Sequence, residues 1–325
     1  MGNKFLKPIA ALMKKNRFTA AILAGTKKLL KKARLFVSRM TRLRYPDFPK
    51  EIWIENTSYC NARCIMCPRD SMTRQRGFMD LGLYEKLIKE ISAYPVERLH
   101  MHNFGEPLMD KKLPDRIKLA KDHGVKYTYM VTNASLFSPE MAIGIIKAGL
   151  DEFKISFYGT DAKTYSETMR GLNFNKTIEG IKAFFEERKR LGARNPRVII
   201  QYLPVDSDQS KVRDFEAIFK PLIDEELGDR LNICELHNFG GGKEYNRLGE
   251  ISSICHFPWQ TMVILQDGKV TTCCIDYDGK QIMGDVNKDS IRDIWNGKAF
   301  NRMRRDFRRL DYRKYPICLN CEVIR

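Results

Sequence analysis

Between Glu51 and about residue 240 the chain alternates short β-rich runs with longer helical stretches. Such alternation restricts a chain to repeated βα units built on a parallel sheet. The runs are EIWIEN (51–56), RLHMHNF (98–104), KYTYMVTN (126–133), EFKISFYG (152–159), RVIIQYLP (197–204) and a sixth near LNICELHN (231–238). In the helical stretch carrying Phe174, Ile178, Ile181 and Phe185, the spacing puts all four on one face. After Gly240, Gly241 and Gly242 the character changes. TMVILQDGKVTTCC reads as a hairpin turning at Asp267 and Gly268. A helix with Ile291, Ile294 and Trp295 follows, and then an arginine-rich polar continuation, NRMRRDFRRLDYRK.

Cys60, Cys64 and Cys67 stand in YCNARCIMCPRD, in the loop after the first run, spaced C-x3-C-x2-C. Three thiols at this spacing offer an iron–sulfur cluster three ligands and leave its fourth iron open. The alternative is a structural zinc knuckle, although zinc sites usually pair their thiols as C-x2-C twice or with two histidines. A second set comprises Cys255, Cys273 at the end of the hairpin, and Cys318-x2-Cys321 after the helix. Four thiolates suit either a fully coordinated [4Fe–4S] cluster or zinc. Cys274 competes with Cys273 as ligand. Cys273 is preferred because it completes a Gly-x4-Cys spacing from Gly268, and because successive strand residues face opposite ways. Cys234 reads as a small buried apolar residue of the sixth run, with a substrate or catalytic role as the alternative.

The cysteine triplet, followed by Gly105-Glu106-Pro107 and Thr132-Asn133 at the ends of later strands, resembles the radical S-adenosylmethionine (radical SAM) superfamily. The resemblance implies a partial (βα)6 barrel over 47–240, with chemistry at the C-terminal ends of the strands. It implies that the open iron chelates SAM, and that a reduced cluster cleaves SAM to a 5′-deoxyadenosyl radical that takes hydrogen from the substrate. The stretch from Cys255 through DGKVTTC, MGDVNKDSIRDIWN and CLNC is similar to the SPASM/twitch extension, which implies a small hairpin-plus-helix domain over 241–325 with one auxiliary [4Fe–4S] cluster.

The same resemblance implies the SAM contacts. Glu106 would accept a charge-assisted hydrogen bond from the methionine amino group, with Gly105 and Pro107 shaping the backbone. As a structural alternative, Glu106 is only a turn residue. Thr132, Asn133 and Ser156 would lie near the methionine or ribose, with Ser156 alternatively only satisfying local backbone, and Arg170 would grip the SAM carboxylate. Tyr59 and Met66 flank cluster ligands. His100 and His102 alternate along one strand, so they face the same side, either as lumen contacts or as satisfied core histidines. Tyr158, Gln201 and His237 are further candidates at the lumen end.

The formal charge is +17, but thirteen Lys and Arg with no acid lie before Tyr45, which leaves only +4 for the rest. The basicity therefore belongs to a segment, 1–46, that alternates bases with apolar residues as amphipathic helices do. It reads as an extension packed on the catalytic domain, an anchor on anionic lipid, or a contact for an acidic partner. Nucleic acid is disfavoured as a partner. Nine cysteines grouped in ligand-like spacings, with no apolar signal region and no long apolar run, point to a reducing cytoplasm, with attachment to the inner face of the membrane in the anchor reading.

These features lead to an enzyme that takes hydrogen from a polar small molecule, a sugar, cyclitol or nucleotide sugar. The spacing of the second cysteine set is similar to that of twitch dehydrogenases that oxidise a secondary alcohol, with the auxiliary cluster as electron acceptor. Redox-neutral decarboxylation of a sugar acid and maturation of a ribosomally made peptide are the alternatives. A flavodoxin or ferredoxin would supply the reducing electron.

Overall fold

A computed structural model of the chain describes residues 45–204, 209–234 and 253–324. The basic segment before Tyr45, the glycine triplet at 240–242 and His237 lie outside these residues. The strands are β1 (Glu51–Ile54), β2 (Arg63–Cys64), β3 (Arg98–His100), β4 (Thr128–Thr132), β5 (Glu152–Ser156), β6 (Met169–Arg170), β7 (Arg197–Tyr202), β8 (Arg230–Ile233), β9 (Thr261–Ile264), β10 (Lys269–Thr271) and β11 (Gly284–Asp285).

Six of them, in the order β1-β3-β4-β5-β7-β8, form the parallel sheet expected of a partial (βα)6 barrel. The C-terminal hairpin extends the same sheet. β9 runs parallel to β1, β10 pairs antiparallel with β9, and β11 with β10. The segment after residue 252 thus shares a sheet with the barrel. A separate small ladder pairs β2 with β6, Cys64 opposite Met169 and Arg63 opposite Arg170.

Helices form where the local chemistry starts and stops them. The Leu81–Ser92 helix begins at Asp80, whose side chain accepts from Leu83 N–H. Pro139–Ala148 has Ser138 as its cap, Pro139 at its first position, and ends at Gly149 with φ 85°. Phe174–Arg190 is capped by Asn173 and buries Ile181, Phe184 and Phe185, with Phe174 and Ile178 packed at the margin of the core. Its Arg188 is also buried, forming a two-pronged ion pair with Asp229 at 2.5 and 2.8 Å beside the start of β8.

The strands alternate between two environments. On β5, Phe153 and Ile155 enter the apolar core beneath the helices. Glu152 and Lys154 face the other, concave side and line a polar cavity. The period-2 pattern therefore runs apolar toward the helices and polar toward the lumen.

The arginine-rich continuation is helical, but it is not polar on every face. Lys298–Arg308 is an amphipathic helix that buries Phe300, Met303, Arg304 and Phe307. The guanidinium of Arg304 lies 3.7 Å from the ring centre of Tyr45 and 4.3 Å from that of Trp295, and donates to the carbonyls of Pro258 and Trp295 at 2.7 and 2.8 Å. Trp295 Nε1 donates to Pro46 O at 2.8 Å, and Arg292 pairs with Asp47 at 2.6 Å. The start of the described chain is in this way strapped to the C-terminal helices. Among the described residues no helix is long and apolar enough to cross a membrane.

Candidate active site

The loop after β1 carries Cys60, Cys64 and Cys67. Arg69, 6% exposed, braces it from inside by donating to the carbonyls of Ala62 and Cys60, both at 2.9 Å. Cys67 N–H closes a turn on Cys64 O at 3.0 Å, and Ile65 N–H bonds Thr168 O at 3.0 Å, so the loop is pinned to the segment of Arg170. Burial, then the Glu106 charge, push the Cys60 thiol up to about 11. Cys64 is pushed up by burial and by the charges of Cys67 and Cys60. Thiolates gathered so closely in a partly buried site repel one another, and a bound cationic cluster relieves that repulsion while displacing their protons. The donor set fits the SAM-binding cluster.

Gly105 follows β3 where the backbone meets this loop, and a Cβ there would collide with the carbonyl oxygen of Thr57. Glu106 N–H donates to Tyr59 O at 2.8 Å. The carboxylate of Glu106 is 2% exposed and accepts from Thr132 Oγ1 at 2.5 Å, Asn133 N–H at 2.7 Å and Leu108 N–H at 3.0 Å. Pro107 opens the short turn that brings Leu108 into place. A carboxylate has about four acceptor positions, so three hydrogen bonds leave room for a ligand donor. Asn133 Nδ2 donates to Asn61 Oδ1 at 3.0 Å and lies 3.9 Å from Cys60 Sγ. Glu106, Thr132, Asn133 and the Cys60 loop thus form one bonded group. Burial pushes Glu106 up to about 7, opposed by these hydrogen bonds.

Tyr158 OH accepts from Gln201 Nε2 and Gln201 Oε1 accepts from Asn232 Nδ2, both at 3.1 Å, and Tyr158 is also bonded to Ser156. Ser156, Tyr158 and Gln201 are therefore one chain at the strand ends. His100 and His102 do face the same side, with ring centres 5.8 Å apart, both against Tyr129. His100 stacks on Trp53 at 3.6 Å and bonds Glu51 at 2.9 Å. Burial brings His100 down to about 4 and His102 well below its ordinary range, so both are neutral at pH 7. Arg170 is exposed, and only its backbone is tied to the cysteine loop. Tyr59 is 38% exposed, whereas Met66 is buried. Cys234 is half-buried, with Sγ 3.6 Å from Tyr202 O.

Cys255, Cys273, Cys318 and Cys321 line one pocket, whose remaining wall is mostly apolar and includes Phe257, Ile275, Phe307 and Ile324. Cys274 lies outside it and packs against Trp53, Val263 and Leu265. The Cys273 thiol is pushed up by its hydrogen bond with Cys274, by burial and by the Cys274 and Cys255 charges. Burial and the charges of Cys255 and Cys321 do the same to Cys318. Four soft donors in an apolar pocket fit an iron–sulfur cluster. No group of His, Cys, Asp or Glu among the described residues is drawn in tightly enough for a single ion.

Sequence reasoning missed Arg69, Lys154 and Asn232. Lys154 carried a usable signal, because it alternates with the apolar Phe153 and Ile155. Arg69 carried none, since its guanidinium reaches back across the loop.

The family described as the radical SAM superfamily matches residues 54–194, and the SPASM family, an iron–sulfur cluster-binding domain, matches 255–322. A tungsten-containing aldehyde ferredoxin oxidoreductase cofactor-modifying protein of Pyrococcus furiosus is 21% identical, over 84% of this chain and 87% of that one. An S-adenosyl-L-methionine-dependent 2-deoxy-scyllo-inosamine dehydrogenase of Niallia circulans is 22% identical, over 84% and 92%. Among solved structures, BtrN in complex with AdoMet and 2-DOIA superposes with a TM-score of 0.59 at 20% identity, covering 84% of this chain and 92% of that one. Streptococcus suis SuiB bound to the precursor peptide SuiA gives 0.65 at 16% identity, covering 92% and 75%. At these identities the likeness is one of fold.

Proposed function

The chain belongs to the radical SAM superfamily and carries a SPASM cluster-binding domain, and on that premise we propose that it oxidises a secondary alcohol of a sugar, cyclitol or nucleotide sugar. When bound, a cluster at Cys60, Cys64 and Cys67 would supply the electron that cleaves SAM to the species that takes the carbinol hydrogen, an auxiliary cluster at Cys255, Cys273, Cys318 and Cys321 would supply an acceptor for the remaining electron, and the hydroxyl proton would pass to solvent.

The protein's own part is positioning. Glu106, ionised, accepts a hydrogen bond from the SAM amino group on its remaining acceptor position, while Thr132 and Asn133 keep its two oxygens aimed. Gly105 allows the cysteine loop and the end of β3 to touch. Ser156, Tyr158, Gln201 and Asn232 present a chain of hydroxyl and amide groups to a polyol, and Arg170 supplies a guanidinium beside the cysteine loop. The neutral rings of His100 and His102 offer hydrogen bonds rather than positive charge.

One observation carries the reading. The four-cysteine pocket abuts the barrel, with Cys273 in the pocket and its neighbour Cys274 against Trp53 of β1. An acceptor so placed suits oxidation of a lumen-bound substrate, and the dehydrogenase among the relatives supports the same chemistry. The test is anaerobic turnover of the reconstituted protein with SAM, dithionite and a polyol panel. A ketone formed one-for-one with 5′-deoxyadenosine supports the proposal. A decarboxylated product or a modified peptide would replace it.

The division into 1–46, 47–240 and 241–325 is part of this reading, as is a flavodoxin or ferredoxin donor. The thirteen basic residues before Tyr45 support attachment to anionic lipid at the inner face of the membrane of a cytoplasmic enzyme. Co-sedimentation with phosphatidylserine vesicles should disappear when residues 1–44 are deleted, and equal binding by both forms would remove that attachment.

A further inference from the structure

A cavity of about 420 Å³ opens on the concave face of the sheet. Its lining holds four cations, Arg98, Lys154, Arg197 and Arg230, against one carboxylate among the described residues, Glu152. Glu152 is shared, 3.3 Å from the Arg197 guanidinium and 4.0 Å from that of Arg230. Arg98 lies over the rings of Tyr127 and Tyr129 at 4.9 and 5.2 Å. Lys154 sits deeper, on the middle of β5, and its ammonium has no hydrogen bond or ion pair among the described residues; burial pulls its pKa down. A partly desolvated ammonium that shares a cavity with three guanidinium groups and one carboxylate is unfavourable unless an anion joins it.

The cavity has direction. Arg98, Arg197 and Arg230 are the first residues of β3, β7 and β8, whereas Gln201 and Asn232, which also line it, lead to Tyr158 and Ser156 at the strand ends. Lys154 and Arg230 both lie in register with Ile199, two residues of strand from Gln201, about 7 Å at the usual rise. That separation lets a charged substituent reach the cations while the sugar ring that carries it lies against Gln201.

We propose that the cavity receives an anionic group of the substrate, so that the enzyme acts on a sugar or cyclitol bearing a phosphate or carboxylate. The anion is held between Lys154 and Arg230, and the reacting carbon lies toward Gln201 and Tyr158. A protonated amino sugar would be repelled by the same residues. The proposal rests on the lumen being the substrate site of the radical enzyme described above.

The test is calorimetric titration of the reconstituted full chain, with SAM bound, using glucose 6-phosphate, glucuronate, glucose and glucosamine. At least one of the two anions should bind tenfold or more tighter than glucose, and glucosamine more weakly than glucose. The phosphate and carboxylate arms tell which anion is preferred. Lys154→Gln and Arg230→Gln should each erase the preference, with iron content and circular dichroism reporting that the variants are folded. Affinities for both anions no better than for glucose, absence of anion binding, tighter binding of glucosamine, or a preference that survives both substitutions would overturn the proposal. Substrate-free SAM cleavage by the wild type is scored separately, because its absence would remove the radical reading and leave the anion preference standing or falling by itself.

Discussion

Thr132 Oγ1 donates a 2.5 Å hydrogen bond to Oε1 of Glu106, joining the end of β4 to the turn after β3. The bond fixes a carboxylate whose burial pushes its pKa up to about 7. Only the ionised form keeps an acceptor position free for the amino N–H of SAM, because a protonated carboxyl fills it with its own O–H. SAM should therefore bind about tenfold more weakly at pH 6 than at pH 8, the ratio expected when one group of pKa about 7 must be ionised. The slope should vanish in Glu106→Gln. Equilibrium binding to reconstituted protein at the two pH values measures this, and a wild-type affinity indifferent to pH would remove Glu106 from the amino contact.

Replacing Cys60, Cys64 and Cys67 together by Ala should abolish formation of methionine and 5′-deoxyadenosine under reducing conditions. The auxiliary cluster should persist, because its four cysteines lie in a different pocket. Undiminished cleavage in the triple variant would sink the assignment of the first site.

Changing Cys318 and Cys321 to Ala should lower iron from about eight to about four per chain, the content of one [4Fe–4S] cluster. Some SAM cleavage should remain, and substrate oxidation should not. Cys274→Ala should keep both clusters, since Cys274 packs against Trp53 and Leu265. Iron lost from Cys274→Ala but retained in Cys273→Ala would reverse the choice of ligand.

Arg304→Leu keeps the helix but removes donors from the carbonyls of Pro258 and Trp295, as well as a cation from between Tyr45 and Trp295. Leaving buried acceptors unpaired and losing that stacking should destabilise the protein by about 3 kcal/mol. Urea unfolding reads the change directly. A shift below about 0.5 kcal/mol, the scale of an ordinary surface substitution, would mean that the strap contributes little.

Local pattern determined much of this protein. Alternating β and helical periods specified the parallel sheet, because a strand repeats every two residues and a helix every 3.6. The hairpin was legible for the same reason: the turn at Asp267 and Gly268 is a local event, and Gly268 has φ 85°. Cysteine spacing pointed to the triplet Cys60, Cys64 and Cys67 and to the pair Cys318 and Cys321, since residues close in sequence are close in space; the tertiary fold brings Cys255 and Cys273 into one pocket with that pair. Tertiary structure alone decided what depends on distant neighbours. Only the pairing of β9 with β1 joins the hairpin to the barrel sheet. Only packing showed that the arginine-rich stretch buries Arg304 between rings contributed by residues 45 and 295. The positive charge of the lumen was likewise invisible in sequence, because Arg98, Lys154, Arg197 and Arg230 belong to four separate strands and meet only when the sheet curves around them. A side chain's type is set by the sequence, but its electrostatic surroundings are set by chain segments far away along it.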